Sequence, residues 1–406
     1  MNNTIIMQIF KEVAAKENNP KWEQYIQRSN GSGRRGEYRS EFEIDGNRIL
    51  HCNAFRRLKH KTQVFFATRN DHICTRMEHV NHVNSVSYSI AKQLGLDTEL
   101  ASAIALGHDL GHAPFGHRGE QTLSDIAATE LKQAMWHEKN SLHFVDNIET
   151  LPDSTGHERN LNLTYAVRDG IISHCGEVNE NGLIPREEAV ALESINRPNE
   201  YRPYSWEACV VKIADKVAYL GRDIEDALTL GILSDTQLDG LRRIINADLA
   251  DVNNTIIMHQ LIKDLCEESS PQKGICFSAQ KFQMLRDIVA FNYENIYLHE
   301  RLNNYHEYAE LVIRTIYKFL KEYYEGKDTM RFVRDDQFKY PTIAPIFYGW
   351  LEKYSNALAY SAERKYQNKV LYKLENESQY LRSIIDFISG MTDQFAIRVF
   401  EEIISF

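Results

Sequence analysis

What most constrains this chain is how rarely its helical periodicity is interrupted. Its 406 residues include only 9 prolines and 20 glycines. Between them stand long runs rich in Ala, Leu, Ile, Glu and Lys, residues that a helix accommodates at little cost. Apolar positions recur at three- and four-residue intervals from about Arg48, over 77–94 and 98–107, and through nearly all of 236–406. Asp97-Thr98 reads as a helix start, and Gly95 suits the end of the helix before it. Further helices are expected over 119–131, 137–149 and 162–174, and from Ser205 to about Leu228. Glycines and Pro114 make 111–119 a shaped loop, and 176–204 is mostly loop around a short helix. The expected fold is all-α: a polar, extended or mobile lead-in at 1–37, a helical core at 38–235, and a C-terminal helical region at 236–406 packed on it.

Composition narrows the function. With 43% apolar and 26% charged residues the chain can bury a sizeable core. A formal charge of −10 argues against a broad nucleic-acid-binding face, so single-stranded nucleic acid is not an expected partner. An anionic substrate must be held by local cations. The six cysteines are scattered without a C-x-x-C pair, which removes support for zinc ribbons and disulfide scaffolds. No segment approaches the roughly 20 apolar residues of a membrane span, and the N-terminus lacks a signal-length apolar core, so a cytoplasmic location is expected. Gly31-Ser32-Gly33-Arg34-Arg35-Gly36 satisfies G-x-G-x-x-G, but no strand precedes it and no apolar helix follows, so it is not a dinucleotide fingerprint. A phosphate-binding G-x-x-x-x-G-K-[ST] loop is absent from the sequence.

The strongest local signal is Gly107-His108-Asp109-Leu110-Gly111-His112. An adjacent imidazole and carboxylate at a helix end can both reach one cation. His79 can supply a third ligand, with Arg76 one turn earlier on the same face, and Asp215 a fourth. Two His and two Asp suit one divalent ion among Mn, Mg, Fe, Co and Zn. A lone His-Asp pair is more often an ordinary ion pair. Here His79, His108, His112 and His117 crowd into 39 residues of a chain with 15 histidines. His82, one turn after His79, reads as ordinary helix surface or core.

Arg76-x-x-His79, His108-Asp109 and Asp215 resemble the H…HD…D pattern of the HD superfamily. The run from His108 through Pro114-Phe115-Gly116-His117-Arg118-Gly119-Glu120 is similar to the deoxynucleoside triphosphate (dNTP) triphosphohydrolases, the dGTPase-like proteins. Ala54–Phe65, Trp136–Ser141, Asp215-Lys216-x-x-Tyr219-x-x-Arg222-Asp223 and Ser389-Gly390-Met391-Thr392-Asp393 match that group in the same order. The resemblance covers about 38–400 and implies an HD-superfamily core with an added helical region.

The activity it implies is metal-dependent hydrolysis of dNTPs, dGTP-like substrates among them, to deoxynucleoside and inorganic triphosphate. His79, His108, Asp109 and Asp215 would be the metal ligands, with Mg a further companion of the substrate phosphates. Arg76, Lys216, His112 and His137 would face the phosphates; Arg76 or Lys216 could instead be a salt-bridge partner of nearby acids, but the neighbouring metal ligands favour the functional reading. His117, oriented by Glu120, would act at the α-phosphate as proton donor or nucleophile, and His112 belongs to the same catalytic group. Gln63 and Asp223 would hold the 3′-hydroxyl of the deoxyribose, and Tyr219 would leave no room for a 2′-hydroxyl. Asp215, Tyr219 and Asp223 recur every four residues and share one helix face, whereas Asp226 reads as part of its solvated acidic edge. Tyr165, Asp169 and His174 lie on a patterned segment, Leu163 to His174, that also resembles the family; a core-and-scaffold reading is equally good, and they are left out of the site. The resemblance further implies a homo-oligomer and leaves room for a dNTP as allosteric activator.

Overall fold

A computed structural model describes residues 8–31, 38–66, 70–153, 155–174, 180–245, 254–358 and 366–405. Most of the glycine motif at 31–36, together with Cys175, lies outside them. The fold is all-α. Among the described residues the only sheet is a two-stranded antiparallel pair, Thr150–Pro152 with Glu158–Asn160. No helix is long and apolar enough to cross a membrane among these residues, and the five described cysteines are free and buried. The chain forms two compact units, each from three separate stretches.

The first unit comprises Met1–Ile49, Gln63–His108 and Leu163–Asn303. Its centre is the Trp206–Thr229 helix, which packs against helices Arg76–Leu94, Thr98–Gly107 and Tyr165–Ser173. Local sequence explains why these helices begin and end where they do. Thr75 and Glu78 form a reciprocal capping box at the start of Arg76–Leu94, and Gly95 ends it in the left-handed region at φ 84°. Asp97 accepts from the N–H groups of Glu99 and Leu100, and Ser205 accepts from Ala208. The buried positions Val80, Val83, Val86, Ile90 and Leu94 trace one helical stripe toward the core. Thr98–Gly107 is buried along nearly its whole length, and its small Ala101, Ala103 and Ala105 let neighbouring helices approach closely.

The polar stretch 17–31 packs rather than trailing into solvent. Tyr25 is buried, and the Arg28 guanidinium pairs with Glu41 and Asp45, each at 2.6 Å. Phe10 lies edge-on to Trp206 at 4.9 Å. Charged residues that look solvated in sequence are here matched to carboxylates, that of Asp45 fully buried.

The second unit comprises Leu50–Thr62, Asp109–Asn162 and Asn304–Phe406. Its Gly116–Leu131 helix packs on Glu377–Ser389. The helix begins three residues before the expected position 119, because Phe115 takes a left-handed φ of 66° and turns the chain at once. The single helix expected over 137–149 is instead α-helical at His137–His143 and widens into one π turn, Phe144–Ile148. The strand pair that follows had no alternating pattern long enough to announce it.

Candidate functional site

The two units carry separate clusters of chemistry-bearing side chains, and the chain passes from one unit to the other at the His108–Asp109 peptide bond. In the first unit, His79 projects from Arg76–Leu94, His108 stands just past the end of Thr98–Gly107, and Asp215 lies in the Trp206–Thr229 helix. His79 Nε2 is 2.9 Å from Asp215 Oδ1, and His108 Nε2 is 3.7 Å from the same oxygen. One ligand atom from each of the three lies within 4.8 Å of the others, so the group could hold a metal ion. His108 is wholly buried, and its Nδ1 is 2.7 Å from the Ala105 carbonyl. That contact holds the ring with Nε2 facing Asp215, the orientation a metal-binding imidazole needs. Burial works to raise the Asp215 carboxyl, but the His79 hydrogen bond and the nearby imidazoles hold it far below its ordinary range. An ionised carboxylate with two imidazoles fits a divalent cation.

His174, left out of the site in the sequence reading, is buried with its ring 4.9 Å from that of His108. Its Nδ1 sits 2.6 Å from Ile171 O. Tyr165 and Asp169 do serve as scaffold: Asp169 accepts from Arg186 and from the Tyr204 N–H, while the Tyr165 hydroxyl donates to Val190 O.

Two turns beyond Asp215, Asp223 is buried on the same helix. Burial pushes its carboxyl up to about 7, against a hydrogen bond from Tyr297 that favours the charged form. The Tyr297 hydroxyl donates to Asp223 Oδ2 at 2.5 Å. Nothing in the sequence flagged Tyr297, which stands 74 positions away and belongs to no motif. Lys216 and Tyr219 are half-buried on the helix. Arg76 is buried, with one guanidinium nitrogen 3.4 Å from the Gln63 carbonyl. The side-chain Oε1 of Gln63 is buried without a hydrogen-bond partner.

Asp226 does not form a solvated edge. It is buried and accepts from the Cys74 N–H at 2.9 Å, fixing the segment that leads into the Arg76–Leu94 helix. Helical periodicity alone put it beside the exposed acids; long-range packing buries it.

In the second unit, His112 Nε2 lies 3.2 Å from Asp109 Oδ1, and the His112 ring stacks on His137 at 4.2 Å. Asp109, His112 and His137 form a further group whose ligand atoms lie within 4.8 Å. Glu120 faces three imidazoles: His137 at 3.0 Å, His112 at 3.7 Å and His117 at 3.8 Å. Its nearest partner is therefore His137, not the His117 three residues away. Burial works to lower the pKa of His137, but Glu120 and Glu138 raise it to about 10. Burial likewise works to raise Glu120, yet His137, His117 and His112 drive it well below its usual value. At neutral pH this is an imidazolium–carboxylate pair. The His117 side chain is 74% exposed, its ring edge-on to that of His112 at 5.8 Å.

The loop carrying these groups is held from the C-terminal segment of the same unit. Asp393 accepts from the Phe115 and Thr62 N–H groups, each at 2.9 Å. Lys61 donates to the carbonyls of His112 and Ser389, and Asn140 donates to Ser389 Oγ. Gly111 lies against the Asn140–Ser141 backbone, where a Cβ has no space.

Comparison with known proteins gives the family of the chain. An HD-domain family model matches residues 76–220, the span that carries His79, His108, Asp109 and Asp215. A phosphohydrolase-associated-domain model matches 351–402, which includes Ser389 and Asp393. A deoxyguanosinetriphosphate triphosphohydrolase-like protein of Caldanaerobacter subterraneus subsp. tengcongensis is 30% identical over 367 residues, covering 90% of this chain and 85% of the relative. One from Rickettsia bellii is 31% identical over 383 residues, covering 91% and 92%. A relative of the same description from Geobacter metallireducens is 30% identical, covering 90% and 89%. The chain belongs to the deoxyguanosinetriphosphate triphosphohydrolase-like family of HD-domain phosphohydrolases, and it is a hydrolase.

Proposed function

We propose that this hydrolase cleaves dNTPs, dGTP-like substrates among them, between the α-phosphorus and the 5′-oxygen, releasing deoxynucleoside and inorganic triphosphate. The observation that carries the reading is the Trp206–Thr229 helix. It presents Asp215 beside two imidazoles and, two turns on, a buried Asp223, in a unit where the amide oxygen of Gln63 also lacks a partner. A phosphate-cleaving cluster needs the first group; the second adds hydrogen-bonding capacity that metal binding does not require.

His79, His108 and Asp215, with Asp109 next in the chain after His108, are the ligands assigned to one divalent ion. When bound, such an ion supplies Lewis-acid polarisation of a phosphoryl oxygen and lowers the pKa of water. Arg76 and Lys216 balance triphosphate charge, and His112 and the imidazolium of His137 add to it. His117, drawn toward Glu120, holds or moves the proton at the 5′-oxygen. Gln63 and Asp223 grip the 3′-hydroxyl, and Tyr219 lies under the sugar. The family resemblance further supports a homo-oligomer, activation by a second dNTP, and Mg accompanying the substrate.

The test is a comparison of dNTP, dideoxy-NTP and NTP carrying the same base, with products separated by chromatography. Losing the 3′-hydroxyl leaves two polar groups unmatched at about 1–3 kcal/mol each, so the dideoxy compound should react at least tenfold more slowly. Ribonucleotide should fail sterically. Equal rates for all three would remove the deoxyribose pocket, and pyrophosphate as product would move the cleaved bond.

A further inference from the structure

Phe115, in the second unit, holds a backbone conformation that its own side chain disfavours. Its φ is 66° and its ψ 24°, in the left-handed region, and Gly116 follows at φ 59°. A residue with a Cβ enters that region at a cost, and stays there only where surrounding contacts over-determine it. Here they do. The phenyl ring is buried, and the Phe115 N–H donates to Asp393 Oδ1 at 2.9 Å. The Phe115 carbonyl accepts from the Tyr305 hydroxyl, also at 2.9 Å. Asp393 belongs to the helix Asp393–Ile404 and Tyr305 to Asn303–Lys321, so the peptide groups on either side of the Phe115 Cα are tied to different helices. The next turn leaves no slack. A Cβ on Gly119 would overlap the Pro114 carbonyl oxygen, and the Gly119 N–H donates back to Phe115 O at 3.4 Å.

This turn sets where His117 points. The imidazole stands on the first turn of the Gly116–Leu131 helix, and Glu120, 3.8 Å from its Nδ1, stands one turn further on the same helix. A largely exposed side chain takes its direction from its backbone, and here that backbone starts at the left-handed peptide. Rotation of the Phe115–Gly116 peptide toward an unstrained φ would fray the start of the helix and carry His117 with it. Asp393 restrains the N–H side of Phe115 but also serves the Thr62 N–H, so its loss disturbs more than this turn. Removing the Tyr305 hydroxyl releases the carbonyl side while the aromatic ring stays. We infer that Tyr305 is a positioning residue for His117: its hydroxyl holds the Phe115 carbonyl in the left-handed turn and so aims the imidazole. The inference rests on the proposed part of His117 in proton transfer. His79, His108 and Asp215 belong to the first unit, so their hold on an ion does not depend on this turn.

The experiment measures dNTP hydrolysis by the full-length protein as wild type, Tyr305→Phe, His117→Ala and the double variant. Tyr305→Phe should lower kcat about tenfold or more at an unchanged KM, short of the roughly 10²–10⁴ expected for His117→Ala. In the His117→Ala background the same change should have no further effect, because the group it positions is gone. A merely structural role would lower kcat by the same factor in both backgrounds, and that result overturns the inference. A kcat for Tyr305→Phe equal to wild type does so as well. Amide exchange adds a readout that needs no turnover. The Phe115 and Gly119 N–H groups should exchange faster in Tyr305→Phe, with helical circular dichroism and bound metal unchanged; exchange equal to wild type overturns the inference. Two outcomes separate it from the reading it rests on. A wild type inert toward every dNTP, or a His117→Ala variant as fast as wild type, removes both. Collapse of His117→Ala beside a fully active Tyr305→Phe keeps His117 in its place and discards Tyr305 alone.

Discussion

At the scale of single residues, the clusters depend on who faces whom within a few ångströms. His79, His108 and Asp215 lie close enough together to hold one ion, so removing any one should release it, the remaining ligands holding it too weakly. His108→Ala or Asp215→Ala should lose stoichiometric metal, measured by atomic emission after dialysis, and lose turnover with it. The helical circular dichroism should remain. A variant that keeps its metal would remove that residue from the ligand set. Tyr297 carries a different expectation. Its hydroxyl favours the charged form of Asp223, whose burial already pushes it up to about 7. Tyr297→Phe should raise that value further, leaving Asp223 mostly protonated at neutral pH and a poor acceptor for the sugar. KM for dNTP should rise roughly tenfold at pH 7, about what one lost charged hydrogen bond costs, and recover as pH climbs toward 9. A KM profile identical to wild type would detach Tyr297 from substrate binding. The histidines and aspartates were legible because they crowd within short motifs. Tyr297 was not, since a lone Tyr carries no signal until packing brings it to its partner.

At the scale of elements, capping chemistry made several boundaries legible. The Asp97 and Ser205 starts and the Gly95 stop all fall where local hydrogen bonding and φ preference require. The π turn at Phe144–Ile148, the strand pair and the early start at Gly116 were not legible, because each depends on a long-range contact or an unfavourable φ. The Ser389–Asp393 stretch shows the difference well. In sequence it is four small or polar residues around Met391; in the fold, Asp393 anchors the Phe115 N–H from 278 positions away. Asp393→Ala strands two buried N–H groups and should destabilise the protein by about 2–5 kcal/mol. Asp393→Asn retains one acceptor oxygen and should cost less. Urea titration measures both, and amide exchange at 111–116 should quicken in the same order. Unchanged exchange at the loop would deny the segment its anchoring role.

At the scale of the molecule, the first unit is tied together by a buried acid. Glu207 is fully buried, and one carboxylate oxygen accepts from the Ala15 and Asp97 N–H groups, both at 2.9 Å. Burial pushes the carboxyl up to about 7, the two N–H groups opposing it. A carboxyl raised in the folded state favours folding while protonated. Its contribution is full below the ordinary value near 4.5 and is lost as pH rises through about 7. The gap corresponds to about 3 kcal/mol. Glu207→Gln cannot titrate, so the wild-type-minus-variant difference in unfolding free energy should fall by about that amount between pH 4.5 and 8. A flat difference would return Glu207 to an ordinary buried acceptor.

What the sequence determined by itself was local: the all-α class, most helix limits, the crowding of His79, His108, Asp109 and His112, and the shared helix face of Asp215, Tyr219 and Asp223. Periodicity, capping and covalent adjacency act over a few residues, and each leaves a trace in the order of amino acids. Tertiary structure decided the rest. It buried Asp226, turned Glu120 toward His137, brought Tyr297 to Asp223, joined Glu207 to Ala15 across 192 positions, and assembled two units from three stretches each. Those pairings arise because a buried polar group must find a partner wherever the packed chain can provide one, and local order does not specify where that will be.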